Sequence, residues 1–248
     1  MTGVNLFLQG IMWIFDPTHS DGSGGIPSRI GEQLAYTFGA VAIASLVAIP
    51  LGLWIGHTGR GRDIAVSLSG GLRALPSLGL LIIFALGIGI GFKAPLVSFV
   101  ILAVPPILAG AYSGLEAVDR RTIDAARAQG MTEWQVLTKV ELPLGFSLLV
   151  GGIRSGVLQV VATATLAYFA SGGALGVFIN EGLKTRNYAE LMGASILVTA
   201  LALILEGIFA LLQRLFVPRG VAAGRIKDVR SRSTRPRTTV GSPIHEGK

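Results

Sequence analysis

Long apolar runs separated by short polar stretches dominate the chain and predict membrane-spanning helices. Five such runs occur, at residues 34–55, 77–92, 95–115, 144–169 and 190–212. A helix needs about 20 mainly apolar residues to cross the hydrocarbon core of a bilayer. All runs but the second reach that length, so the pattern predicts an all-α polytopic membrane protein with about five core transmembrane helices.

Prolines punctuate these runs. Pro50 predicts a kink inside the first span, and Pro76 separates an amphipathic stretch at 64–75 from the second span. Pro105 and Pro106 predict a break near the middle of the third span. Two interpretations of that pair are open, because a proline pair fits a hinge used during transport and equally fits a static kink that accommodates packing.

The two ends of the chain differ from the centre. The first apolar run, at 4–15, is too short to span a bilayer and is predicted to lie at an interface or to pack on another helix. Residues 1–32 therefore form a predicted N-terminal interfacial segment and 33–217 a transmembrane domain. Residues 218–248 are rich in Arg, Ser, Thr and Gly, which predicts a basic disordered tail. A loop is predicted at 171–189, between the last two spans.

One long connection, between the third and fourth spans, is polar. Asp119 is suited to cap a short helix that continues to Gln129, and Gly130 supplies the left-handed conformation that ends it. Thr132, with Gln135 three residues later, predicts the capping box of a second helix.

In that second helix, Trp134, Val136, Leu137 and Val140 lie at spacings that predict one apolar face, and Pro143 is expected to close it and start the next span. Two interpretations are open: a loop that merely covers the bundle, and a docking element for a soluble partner. Its length and its two helices favour docking.

Composition agrees with a membrane protein. Hydrophobic residues make up 51% and charged residues only 14% of the 248 positions, whereas soluble domains have about 25% charged residues. The 34 glycines suit close helix approach. The chain has no cysteine, so the sequence indicates neither thiol chemistry nor a redox compartment.

Lysine and arginine predict the orientation. One side is predicted to hold Arg60, Arg62, Arg73, Arg120, Arg121, Arg127, Lys139, Arg214, Arg219 and the tail, and the other Arg29, Lys93, Lys184 and Arg186. The more basic side is expected in the cytoplasm, which puts the N-terminus outside and the C-terminus inside. The net charge of +7 is explained by this bias and by attraction of the tail to anionic membrane lipid. Nucleic-acid binding is not expected, because no aromatic residues alternate with the basic ones.

The segment DAARAQGMTEWQVLTKVELP, at 124–143, resembles the signature loop of the membrane subunits of binding-protein-dependent ABC importers. The matching positions are Asp124, Ala125, Ala126, Gly130, Val140, Leu142 and Pro143. Asp stands where Glu is commoner in the family, and Val where Ile is commoner. The resemblance implies a type I importer fold, of the MetI-like kind, in which the first short helix docks into a cytoplasmic ATP-binding subunit.

Two further stretches narrow the resemblance. RALPSLGLL at 73–81 and SGGALGVFINEGL at 171–183 are similar to the branch that imports quaternary amines such as glycine betaine, choline, carnitine and proline betaine. The resemblance implies a dimer of ATP-binding subunits, a second permease chain and a separate extracytoplasmic solute-binding protein, in the plasma membrane of a prokaryote. ATP and Mg²⁺ would bind the partner subunit, with no cofactor on this chain.

No catalytic or metal-binding spacing occurs. The histidines, His19, His57 and His245, have no acid at a suitable spacing, and no P-loop is present. A non-catalytic subunit is therefore expected. Import of an amino acid or an anion is the alternative within the family, and a secondary transporter, with Glu206 as the lone candidate for ion coupling, is the alternative outside it.

Two charges lie inside predicted spans. Arg154 and Glu206 are expected at similar depths on antiparallel helices, so one hypothesis pairs them across the bundle, and the other has each facing a water-filled pathway. Tyr112, Tyr168 and Phe169 fit either cation–π contact with a quaternary ammonium or an interfacial aromatic belt.

Overall fold

The computed structural model describes residues 3–20, 22 and 24–216. The predicted basic tail at 218–248 lies outside the described residues. In the described part the chain is helical, with no β-strand. The α-helices are α1 Gly3–Phe15, α2 Ile26–Thr58, α3 Arg62–Ala74, α4 Ser77–Ile88, α5 Lys93–Glu116, α6 Arg120–Ala128, α7 Glu133–Val136, α8 Leu142–Thr163, α9 Tyr168–Ser171, α10 Gly176–Thr185 and α11 Tyr188–Phe216.

Four helical segments are long and apolar enough to cross a membrane. They are α2, α5, the continuous stretch Glu133–Ser171, and α11. A fifth crossing results if α3 and α4 count together, since they meet at 86° across a break at Pro76. At 1.5 Å per residue α4 alone is about 18 Å long, shorter than the roughly 30 Å hydrocarbon core. The predicted all-α fold is confirmed with four to five spans, and the predicted second span counts as a crossing only together with α3.

Helix α2 starts earlier than the apolar pattern indicates. It begins at Ile26, so the predicted boundary between residues 32 and 33 falls inside a helix. Pro27 occupies the first turn, where its missing N–H costs nothing. The polar residues that follow form hydrogen bonds with the backbone of other segments. Glu32 Oε2 accepts the N–H of Ala174 at 2.7 Å, and Gln33 Nε2 donates to the Val161 carbonyl at 2.8 Å.

The predicted break at Pro105 and Pro106 is wrong. Both prolines lie inside an uninterrupted α5, as Pro50 lies inside α2. Helix α5 is the most buried of the spans, and neighbouring helices in a membrane bundle compensate the backbone groups that proline leaves free.

Pro143 likewise does not separate two helices. A π-helical turn at Leu137–Glu141 joins α7 to α8, and the Leu142 N–H bonds to the Leu137 carbonyl. This wider turn, with bonds five residues apart, ends two residues before Pro143, and the helix continues through the proline. The second short helix is therefore the first turn of the fourth span.

The predicted loop at 171–189 contains a helix. Gly172, with φ 66°, ends α9 in the left-handed region, and α10 follows after a short turn. Phe178 of α10 packs in a small apolar cluster with Trp13 of α1 and Ala194 of α11, so burial of an apolar side chain orders this connection. Helix α1 also packs on α11, where a Cβ on Gly10 would lie 2.8 Å from Cγ of Met192.

Glycines set the centre of the bundle. Helix α5 lies between α2 and α8, and its backbone touches that of α8 directly. A Cβ on Gly110 would lie 2.5 Å from Cα of Gly152, and one on Gly145 would lie 2.5 Å from the Gly114 carbonyl oxygen. On the other side of α5, a Cβ on Gly52 would lie 2.4 Å from Cβ of Ala111. The three spans can pack at this separation only because these positions lack side chains.

We expect Gly152→Ala to destabilise the bundle, because the added methyl group has backbone atoms of α5 within contact distance and nowhere to move. Overpacking of this kind costs about 1–3 kcal/mol. The midpoint of thermal unfolding of the detergent-solubilised chain measures the loss. Gly151→Ala is the matched control on the adjacent residue, where an added Cβ meets nothing within 4 Å. Equal midpoints for the two variants would contradict the expectation.

A charged contact joins α8 to α11. The Arg154 guanidinium donates from Nε to Glu206 Oε2 at 2.7 Å and from Nη1 to Gln213 Oε1 at 3.1 Å, and a second guanidinium nitrogen, Nη2, contacts Glu206 Oε1. Gln213 in turn donates to the Ser147 carbonyl at 3.2 Å. The structure thus brings together the two intramembrane charges that the sequence analysis singled out, with about a third of each side chain exposed.

We expect Arg154→Glu or Glu206→Arg alone to destabilise the chain, and the double exchange to recover part of the loss. A single change leaves two like charges in one span-to-span contact, at a cost of about 1–3 kcal/mol after allowance for partial exposure. Thermal unfolding midpoints of the four proteins form a double-mutant cycle. Arg214→Glu, at an exposed position of α11, is the control. A double exchange no more stable than the single changes would refute a stabilising pair.

Candidate functional site

The connection between α5 and α8 forms an elbow, defined here as residues 119–143. Asp119 Oδ1 accepts the N–H of Arg121 at 2.9 Å and caps α6. Gly130 has φ 81°, and Thr132 and Gln135 form a complete capping box. The predicted helix–glycine–helix geometry is confirmed in each of these local details.

Most of the α6 surface is open. The Asp124 side chain is 74% exposed, and Ala125 is also exposed, whereas Ala126 is buried against the bundle. The later positions of the signature differ in exposure: Gly130 and Pro143 are exposed, and Val140 and Leu142 are half-buried. The elbow therefore offers a short helix whose outward face carries Asp124, small residues and arginines.

The apolar face predicted for the second elbow helix is only partly correct. Val136 is fully buried, but Trp134 is 72% exposed, and Leu137 and Val140 are half-buried. Trp134 and Val136 are two residues apart, about 200° around a helix, so they cannot share one face. The π-helical turn that starts at Leu137 then changes the spacing of the later residues.

Ionic contacts fix the angle of the elbow. Arg127 of α6 donates from Nε and Nη2 to the two carboxylate oxygens of Glu133, both at 2.9 Å, and its Nη1 lies 3.8 Å from Asp124. The hydrogen bond with Glu133 raises the pKa of Arg127. This two-pronged contact bridges Gly130 and ties α6 to α7.

A second set of contacts attaches the elbow to α2. His57 Nδ1 lies 2.6 Å from Glu141 Oε2, and His57 Nε2 lies 3.3 Å from Glu133 Oε2. Glu141 is buried. Sequence spacing places no acid beside His57. The structure supplies one 84 residues away, because the packing of α2 beside the π-helical turn brings Glu141 near.

These groups surround a cleft of about 400 Å³ between the end of α2 and α6. Its charged lining residues are Arg62, Glu116, Arg120, Asp124, Arg127 and Glu141. Arg62 Nε also contacts Glu116 at 3.2 Å, which joins the start of α3 to the end of α5. The cleft carries both signs of charge and belongs to the elbow end of the bundle.

A separate cavity of about 660 Å³ lies among α3, α4, α5 and α8. Its polar lining residues are Arg73, Ser77, Ser155 and Gln159. An adjoining cavity of about 320 Å³ is also lined by Arg73, Pro106 and Ser155, and in addition by Tyr112 and Ser113. These two cavities are called the inner cavities below. The charge pattern predicts Arg73 among the basic residues that flank the spans, but the structure places it against the middle of α5 and α8.

The remaining candidate residues are scattered. Pro105 is fully buried, whereas Pro106 lines both inner cavities, and the hinge role of the pair stays a prediction. Tyr168 accepts a hydrogen bond from Lys184 Nζ at 3.1 Å and packs edge-on against Phe169. Among the described residues no group of three or more His, Asp or Glu side chains is arranged to hold a metal ion.

Curated relatives of the chain are permeases. The glycine betaine/carnitine/choline transport system permease protein OpuCB of Bacillus subtilis is 31% identical over 198 residues, which are 80% of this chain and 91% of that protein. The choline transport system permease protein OpuBB of the same organism is 30% identical over 80% of this chain and 90% of that protein. The osmoprotectant import permease protein OsmW of Salmonella typhimurium is 28% identical over 81% of this chain and 96% of that protein.

Solved structures share the fold. A chain of the MetNI methionine ABC transporter in an inward-facing conformation superposes with a TM-score of 0.70 at 20% identity, covering 88% of this chain and all of that one. A chain of an amino acid ABC transporter with histidines superposes with a TM-score of 0.57 at 20% identity, covering 86% of this chain and 93% of that one. At this identity the likeness concerns the fold alone. The family described as binding-protein-dependent transport system inner membrane component matches residues 30–220, and the chain belongs to it as a multi-pass permease subunit of an ABC importer.

Proposed function

We propose that the chain forms half of a translocation pathway for a quaternary-amine osmoprotectant such as glycine betaine, choline, carnitine or proline betaine. The relatives named for these solutes support the substrate class, since they align over about four fifths of this chain. The observation that carries the ATP-driven mechanism is the elbow, which is open on its outer face and held rigidly on its inner one. A second permease chain completes the pathway, and a separate solute-binding protein delivers the solute.

The elbow is the docking element for a dimer of ATP-binding subunits, which binds ATP and Mg²⁺ and performs the hydrolysis. The exposed face around Asp124 and Ala125 is the contact surface, and the positions Ala126, Gly130, Val140, Leu142 and Pro143 shape its attachment. In this arrangement the elbow end lies in the cytoplasm of a prokaryote, the N-terminus lies outside and the C-terminus inside. The distribution of Lys and Arg supports that orientation.

The contacts of the elbow define how movement would spread. Closure of the ATP-binding dimer displaces α6, and the Arg127–Glu133 contact carries the displacement to α7 and hence to α8. The His57–Glu141 contact carries it to α2. Two spans on opposite sides of α5 then move together, which shifts the population between inward-open and outward-open states.

The substrate class is tested by uptake into proteoliposomes that contain the complete assembly and its solute-binding protein. We expect ATP-dependent accumulation of radiolabelled glycine betaine or carnitine, and none with a non-hydrolysable ATP analogue. Proline and phosphate serve as solutes outside the class. Accumulation driven by an ion gradient without ATP would contradict the proposal and favour a secondary transporter.

The elbow is tested at Gly130. We expect Gly130→Val to weaken binding of the ATP-binding subunit and to lower ATP-driven uptake, because a β-branched residue is strained at φ 81°. The left-handed conformation costs an ordinary residue about 1–2 kcal/mol, which corresponds to a roughly 5- to 30-fold loss of binding. Co-purification and uptake are the measurements.

Gly130→Asn is the matched control, since asparagine tolerates the left-handed region and adds similar bulk to an open position. Asp124→Lys changes the contact surface without straining the backbone and is also expected to weaken binding. Wild-type binding and uptake in both Gly130→Val and Asp124→Lys would reduce the elbow to a covering loop.

A further inference from the structure

Arg73 occupies an unusual place for a charged residue. It lies in the last turn of α3, just before the bend at Pro76. The cavity that it lines also contains Pro106, near the middle of the 24-residue α5, and Ser155 of α8. Arg73 therefore lies beside the middle of α5 and α8, exposed to the cavity, at a depth where an ionisable residue faces a partner or a water-filled pathway.

No carboxylate neutralises Arg73 in the part of the chain that the structure describes. None of the residues lining the two inner cavities is acidic. Arg154, the residue before Ser155, differs in this respect because it pairs with Glu206. The inner cavities thus hold one exposed guanidinium whose charge is not balanced by the chain.

The surroundings of Arg73 suit an organic anion that also carries a cation. Ser155 and Gln159 lie one turn apart on α8 and line the larger cavity with Ser77, so they offer neutral hydrogen-bonding groups. The adjoining cavity contains Tyr112, whose ring can attract a quaternary ammonium. A guanidinium matches a carboxylate with two parallel hydrogen bonds.

We propose that Arg73 binds the carboxylate of a zwitterionic osmolyte during passage, so that trimethylammonium carboxylates are carried in preference to choline, which has no carboxylate. The inference rests on the proposed function and narrows its substrate class. A purely cationic solute meets an unbalanced positive charge at this point, whereas a zwitterion neutralises it and places its ammonium group toward the aromatic side of the cavity.

The test measures uptake of glycine betaine, carnitine and choline by the complete assembly, with the same solute-binding protein in every sample, so that changes in selectivity report the permease. We expect Arg73→Gln to lower uptake of the two carboxylates by about 10- to 100-fold, the range for loss of a charge-assisted contact. The ratio of choline to glycine betaine uptake is expected to rise.

Further variants separate charge from folding. Arg73→Lys keeps the charge but not the paired donors and is expected to retain an intermediate rate. Gln159→Glu introduces an acid into the same cavity and is expected to raise the choline ratio while Arg73 remains in place. Arg60→Gln removes an equal charge at an exposed position outside the cavities and is expected to leave uptake unchanged.

Uptake that falls equally for all three solutes in Arg73→Gln, with an unchanged ratio in Gln159→Glu, would overturn the inference while leaving the proposed function in place. An ion pair between Arg73 and the second permease chain would produce that result. A wild-type assembly that accumulates none of the three solutes would instead overturn the proposed function, and the carboxylate site with it.

Discussion

The direct backbone contact of α5 with its neighbours is the constraint on which the rest of the bundle depends. Lipid offers no hydrophobic driving force between helices, so association relies on close van der Waals contact and small residues. Gly110 and Gly114 on one helix meet Gly152 and Gly145 on the other, and Gly52 continues the contact toward α2. With the three spans held this closely, α3 and α4 pack on the outside of α5, and a cavity remains where α3 bends away.

The elbow is attached to this closely packed centre by continuous helix and by side-chain contacts. A short helix joined to the bundle by flexible chain would absorb a push from outside without passing it on. Here α7 continues into α8 through the π-helical turn, and Glu141 in that turn holds His57 at the end of α2. The elbow is therefore attached to two spans, α2 and α8, of which α8 lines the inner cavities.

Local chemistry was predictable from the sequence, and contacts between distant residues were not. The cap at Asp119, the left-handed Gly130 and the capping box at Thr132 depend on residues within one turn of one another, so sequence spacing was enough. His57 and Glu141 are separated by 84 residues, and nothing in the spacing of either one predicts the other. Arg154 and Glu206 were found because a charge inside an apolar run stands out without knowledge of the fold.

For Pro105, Pro106 and Arg73, the expectation from the local sequence was wrong because the surrounding helices determine the outcome. Pro105 and Pro106 interrupt helices in water, but α5 keeps its path because neighbouring spans enclose it. In the sequence, Arg73 lies at the end of an amphipathic stretch, a position typical of a basic residue in the lipid headgroup region. Only the fold of α3 against α5 and α8 shows that the guanidinium lies beside the middle of those spans.

The 86° bend between α3 and α4 has a consequence for hydration. Each helix end leaves up to four backbone groups without a partner inside the helix, and the bend places two such ends beside the cavity. Hydrocarbon cannot satisfy these carbonyl and amide groups, whose exposure to it would cost several kcal/mol each. The polar cavity beside the bend has room for water that can pair with these groups, so a passing osmolyte would meet a hydrated surface there.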